Sequence, residues 1–148
     1  MGLRRSGREL ALKVLYQMDI VGDHSLHHVP ALLAFTPSDP RARQFAQELI
    51  KGVAAEMVDL DRLLSEVITN WSINRLSRID HNILRIGAYE LLRMEDIPTR
   101  ATLDEAIELA KRYGDQGSSQ FVNGVLDMVA QRLGLKHKGE HDLGAAKP

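Results

Sequence analysis

Three arginines, Arg4, Arg5 and Arg8, crowd the start of "RRSGRELALKVLYQMD", residues 4–19, and only Glu9 offers an acid nearby. Read as a helix, this segment carries Ala11, Val14, Leu15 and Met18 on one face. Unpaired amides give a helix N-terminus partial positive charge, so intrachain electrostatics favour acids there and oppose a cationic cluster. At about 100° per residue the three guanidinium groups fall within an arc of about 100° beside the apolar stripe, with Tyr16 on the same flank. Guanidinium groups next to an aromatic ring suit phosphates and unstacked bases, so the expected chemistry is anion recognition by an open arginine bank.

A second anion-suited element is "GDQGSSQF", residues 114–121. Its two glycines permit close backbone approach, and Ser118 stands where a helix with outward amides would open. Gln120 offers a base-edge hydrogen bond and Phe121 a stacking face, while core packing of Phe121 with Val125 at i+4 is the competing reading. A third segment, "SRIDHNILRIGAYELLRM", residues 77–94, is apolar over most of its circumference, with Arg78, His81 and Arg85 as a polar strip. Asp80 and Glu90 fall on its apolar arc. A buried carboxylate is costly unless paired, so each is expected to meet an internal arginine or to face a partner protein.

Other chemistry is poorly supported. The histidines of "HSLHH" and "HKGEH" lack the supporting acids of a zinc or acid/base site, and no GxSxG, GKS/GKT loop or dinucleotide fingerprint is present. The absence of cysteine excludes disulfides, thiolate zinc sites and cysteine nucleophiles. The expectation is a binding protein without catalytic residues, metal or cofactor.

The elements that must position these residues read as helices throughout, because helical spacing recurs and no convincing strand alternation appears. A first helix spans about 4–21 and stops near Gly22. "GDHSLHH" is a loop, and "VPALLAF" supplies a helical turn or two. Ser38 or Asp39 caps the next helix, with Pro40 at its first position. That long segment carries Phe45, Leu49, Val53, Leu60, Leu63, Leu64, Val67 and Ile68, with a break near 57–59, and Trp71 is expected to anchor its end. The helix over 77–94 ends before Pro98. "TLDE", residues 102–105, reads as a capping box for a helix that closes at Gly114, and a last helix starts at Ser118 or Ser119 and closes at Gly134. Residues 135–148 show no apolar period and are expected to form a frayed tail.

With 148 residues, 44% of them hydrophobic, the chain is expected to be one all-α domain of six to seven helices. No stretch approaches the roughly 20 apolar residues of a membrane span, and no apolar leader opens the chain, so a cytoplasmic protein is expected. Net charge is −1, so a nucleic-acid partner must be held by a local basic patch.

Taken in order and at their spacing, "RRSGRELALKVLYQMD", "RIDHNILRIGAYELL", "IPTRATLDEAIELAKRYG" and "SSQFVNGVLD" closely resemble the NusB family of bacterial transcription antitermination factors, from about Leu3 to Leu133. The resemblance implies two packed three-helix bundles, about 3–70 and 75–134, forming a single RNA-binding domain over 1–134, with no catalytic activity. It implies binding of the single-stranded boxA element of ribosomal RNA leaders together with NusE, a small-subunit ribosomal protein. Delivery to RNA polymerase with the other Nus factors, and antitermination of ribosomal RNA transcription, follow from the same likeness. It places the RNA surface on Arg4, Arg5, Arg8 and Tyr16 and around Ser118, Gln120 and Phe121, and it puts Asp80 on the NusE-facing side. Ser6 and Gly7 interrupt a start that is often more densely basic in the family, and Gly117 and Gln120 leave the second patch neutral. Both a monomer and a homodimer stay open. The same helical domain also opens a ribosomal RNA cytosine methyltransferase, whose catalytic domain 148 residues are too few to add. A scaffold of this fold that never touches RNA is the remaining alternative. On this reading Arg4→Ala with Arg8→Ala should weaken boxA binding and leave the melting temperature nearly unchanged.

Overall fold

A computed structural model describes residues 2–68, 73 and 76–135. Seven α-helices are present among them: α1 (Leu3–Val21), α2 (Val29–Ala34), α3 (Pro40–Ala55), α4 (Met57–Val67), α5 (Arg78–Arg93), α6 (Thr99–Tyr113) and α7 (Ser118–Arg132). A 3-10 turn, Leu26–His28, precedes α2 where a plain loop is expected. No strand occurs among the described residues. Trp71 and residues 136–148, and with them the expected anchor and most of the expected tail, lie outside the described residues.

The helix ends follow local chemistry. α1 stops at Gly22, whose φ of 78° is the left-handed conformation that glycine adopts without a Cβ penalty. Asp39 caps α3 by accepting from the Arg41 amide at 2.8 Å, with Pro40 in the first position. The break between α3 and α4 is one residue, Glu56, whose carboxylate takes the Arg93 guanidinium at the far end of α5. Ser77 caps α5 through the Asp80 amide at 3.0 Å.

The expected capping box at 102–105 is not what opens α6. That helix begins three residues earlier, at Thr99, behind Pro98. Thr102 and Glu105 therefore sit inside it, and their side chains reach across to Glu90 and Arg5 on other helices.

α5 is the central element. It packs against α1, α3, α4, α6 and α7, and α4 leaves α3 to lie on α5 and α7. α1 and α3 pack face to face, as do α6 and α7. Buried side chains from all seven helices join in one core, including Leu12, Leu15, Leu33, Leu49, Leu60, Ile83, Ala106 and Leu126. α1 runs antiparallel to α5, since Arg8 meets Glu90 while Asp19 meets Asn82. It runs parallel to α6, since Arg5 meets Glu105 while Glu9 meets Arg112.

Two glycines allow close approach between helices. At Gly7 a Cβ would sit 2.7 Å from Phe45 Cδ2 and 2.9 Å from the Ala42 carbonyl oxygen, so this gap in the basic run is where α1 crosses α3. At Gly52 on α3 a Cβ would overlap the Tyr89 ring of α5. Gly52→Ala should gain about 1 kcal/mol of helix propensity. Overpacking should outweigh that gain, with a loss of about 1–3 kcal/mol. Denaturant unfolding of Gly52→Ala, Tyr89→Leu and the double variant checks this. The double variant should be more stable than the sum of the single losses, and strict additivity would show that the ring is not the obstacle.

Candidate nucleic-acid interface

The arginine bank at the start of α1 meets three carboxylates of its own chain, and the three pairs differ in burial. Arg4 Nη2 donates to Asp96 at 2.9 Å, with both side chains at least half exposed. Arg5 donates from Nε and Nη2 to the two oxygens of Glu105 at 2.9 and 2.8 Å, and 43% of its side chain remains exposed. That fork turns the Nη1 side of Arg5 away from Glu105. The pair holds the Glu105 carboxyl below the usual carboxylate range, chiefly through the Arg5 hydrogen bonds.

Arg8 differs in kind. Its Nε and Nη2 each donate to Glu90 at 2.7 Å, and the two side chains are 4% and 1% exposed. Thr102 donates to the same carboxylate at 2.9 Å, so α1, α5 and α6 meet at one buried charge. The expectation of Arg8 as an open RNA contact is corrected: its guanidinium closes the core. The reason is visible on the helical wheel. Leu12, one turn on, is buried on one side of Arg8 and Leu15 on the other, so position 8 falls inside the apolar arc. Arg8→Ala therefore cannot leave the melting temperature unchanged. Glu90 takes the internal of its two expected roles.

Phe45 of α3 adds an aromatic face that sequence reading missed. The Arg4 and Arg8 guanidinium carbons lie 5.9 and 5.5 Å from its ring centroid, within cation–π range. Further along α1, Glu9 accepts from Arg112 at 2.7 Å, and Lys13 Nζ lies 6.0 Å from the Tyr113 ring, as does the Arg112 guanidinium. Arg112 and Tyr113 were missed too. The available signal was their place immediately before Gly114, together with the i, i+4, i+8 spacing of Arg5, Glu9 and Lys13. Tyr16 stands exposed one turn beyond Lys13.

At the other end of α5 a cavity of about 350 Å³ is lined by Leu76, Ser77, Asp80, Asp115, Gly117 and Phe121 among others. Gly117, φ 89°, forms the turn into α7. Ser118 is buried, and its hydroxyl accepts from the Asp115 amide at 3.0 Å and donates to Asp80 Oδ2 at 3.1 Å. That hydroxyl is therefore a loop clasp instead of the expected outward contact. The other Asp80 oxygen is buried with no hydrogen-bond partner among the described residues. Burial raises the Asp80 carboxyl above its usual range, Asp115 raises it further, and the Ser118 hydrogen bond only partly opposes this. Phe121 packs on the core, as the competing reading has it, and also lines the cavity. Gln120 is exposed on the first turn of α7. Asp80, expected on the partner face, thus shares a cavity with Phe121. Ten residues of helix separate it from Glu90, a rise of about 15 Å, so the two predicted anion elements sit at opposite ends of α5.

The NusB family model matches residues 5–131, across both of these elements. The chain belongs to the NusB family. The transcription antitermination protein NusB of Sorangium cellulosum is 43% identical over 134 residues, covering 90% of this chain and 96% of that protein. Among solved structures, T. maritima NusB is similar with a TM-score of 0.79 and 39% identity, over 91% of this chain and 92% of that one. A structure of the antitermination factors NusB and NusE in complex with double-stranded RNA is similar with a TM-score of 0.77 and 25% identity, over 89% and 98% of the two chains. In NusB-family terms, the all-α fold expected from the sequence is the fold observed. No described helix is long and apolar enough to cross a membrane.

Proposed function

We propose that this protein is a transcription antitermination factor that binds boxA RNA of ribosomal RNA leaders together with NusE and acts on RNA polymerase with the other Nus factors. On this reading it works in the cytoplasm, by binding and without catalysis, and residues 1–134 form the RNA-binding unit. Family membership supports the role, and the α1–α6 seam supports the chemistry: Arg5, Lys13 and Arg112 share that side of α1 with Tyr16 and Tyr113, while Arg4 projects on the α3 side beside Phe45. Cations at that spacing attract a ribose-phosphate chain, and the rings suit unstacked bases. Gln120 and Phe121 extend the surface at the start of α7, with Asp80 beside them as the contact nearest to NusE. Arg8 and Ser118 support the surface from inside.

Binding of boxA RNA and of a scrambled sequence, with and without NusE and at stated salt, tests the proposal. Preference for boxA that strengthens with NusE is expected. NusE binding without any RNA binding would favour the protein-only scaffold. Arg5→Ala with Arg112→Ala should reduce the salt slope by about 1.4, at roughly 0.7 per phosphate of a single strand. The melting temperature should change little, because partly exposed pairs contribute only about 0–1 kcal/mol each. An unchanged slope would move the RNA to another face.

A further inference from the structure

The seam between α1 and α6 alternates charge. Arg5 faces Glu105, Glu9 faces Arg112, and a cavity of about 270 Å³ above them is lined by Arg5, Glu9, Glu105, Glu108, Lys111 and Arg112. Each guanidinium that stands out for a phosphate is thus already held by a carboxylate of the same chain. Carboxylate and phosphate oxygens compete for the same planar fork, and a bidentate pair is the strongest form of that competition.

We propose that Glu105 is an internal competitor for RNA, a carboxylate that holds Arg5 until a phosphate displaces it and thereby limits the intrinsic affinity of this face. The inference rests on the proposed RNA-binding function and adds a regulatory residue to it. Glu105 suits the role because its pair with Arg5 is partly exposed, so its loss leaves the fold standing. Glu90 does not suit it, because its pair with Arg8 is buried.

The test is Glu105→Gln, which keeps the shape and removes the charge, with binding to boxA RNA and to a scrambled single strand measured across a salt series. Removing the competing pair should raise affinity by up to about fivefold, the upper range for a partly exposed ion pair, and leave the salt slope nearly unchanged, because Arg5 neutralises one phosphate in either protein. The gain should appear for both RNAs, because phosphate contacts carry no sequence information. It should vanish in an Arg5→Ala background, where no guanidinium remains to be released. Equal or weaker binding by Glu105→Gln overturns the inference and leaves the proposed function intact, as does a gain that persists without Arg5. If neither wild type nor Glu105→Gln binds RNA, the functional reading falls and takes the inference with it.

Discussion

Arg8→Ala is expected to lower the stability of the folded state by about 3–5 kcal/mol, the range for removing one partner of a buried ion pair. Glu90 would be left as a charged group almost fully out of water, with the Thr102 hydroxyl as a remaining donor in place of a guanidinium. In a domain of this size that is a fall in melting temperature of roughly 6–20 °C, readable by calorimetry or by helical CD. Arg4→Ala, which removes an exposed pair with Asp96, should shift it by little. Burial of the charge, and not charge in general, is the cause. Arg8→Met combined with Glu90→Leu and Thr102→Val should accordingly recover much of the loss, since an apolar replacement of similar volume removes the desolvation penalty along with the attraction. If Arg8→Ala melts with the wild type, the pair at 2.7 Å is not a structural clamp.

Arg85→Met is the second large effect, and its signature is in the pH dependence. Arg85, 8% exposed, donates to Asp61 of α4 at 2.9 and 2.8 Å and to Asp19 of α1 at 3.1 Å, while His81 meets Asp61 at 2.8 Å. Burial works against ionisation of Asp61, but the hydrogen bonds from Arg85 and His81 outweigh it and hold the carboxyl at about 2. A carboxyl depressed in the folded state stabilises that state above its unfolded value, about 3.9, and the benefit is lost as pH falls toward 2. The contribution is roughly 1–2 kcal/mol after allowing for solvent at a partly exposed group. Wild-type stability in urea should therefore drop between about pH 4 and pH 2. Arg85→Met should be less stable by about 3 kcal/mol near neutral pH, with Asp19 left to Asn82 and His24, Asp61 left to His81, and no guanidinium between the two carboxylates. It should also lose most of this acid-induced drop, because protonation then relieves the very charges left exposed to each other. A variant that retains the full wild-type drop would place the acid sensitivity on another group.

Four helix ends were legible because their causes lie within a few residues, whereas the start of α6 was not. Gly22, Asp39 with Pro40, Ser77 and Gly114 each act on their own backbone, and all four ends fall where those residues put them. Side-chain roles decided across the fold were not legible. Arg8 and Glu90 are 82 residues apart and Arg5 and Glu105 are 100 apart, so the missing acids of the N-terminal bank came from distant helices. Thr102 and Glu105 matched a local motif by type and spacing, yet tertiary partners claimed both. Ser118 was placed correctly at the first turn of α7, and Asp80 at the head of α5, but their hydrogen bond spans 38 residues and no local pattern announces it. Leu12 was an overlooked local clue, since it extends the apolar arc past position 8.

The buried clamp at Arg8 has a bearing on how the front of the molecule meets a ligand. Many arginine-rich segments are disordered until they fold on their target, and ordering then consumes part of the binding free energy. Here the first turns of α1 are fastened to α5 and α6 beforehand, so under the proposed function an arriving anion would meet a pre-ordered helix and would have only to exchange with the carboxylates on Arg4 and Arg5, without a coupled folding transition.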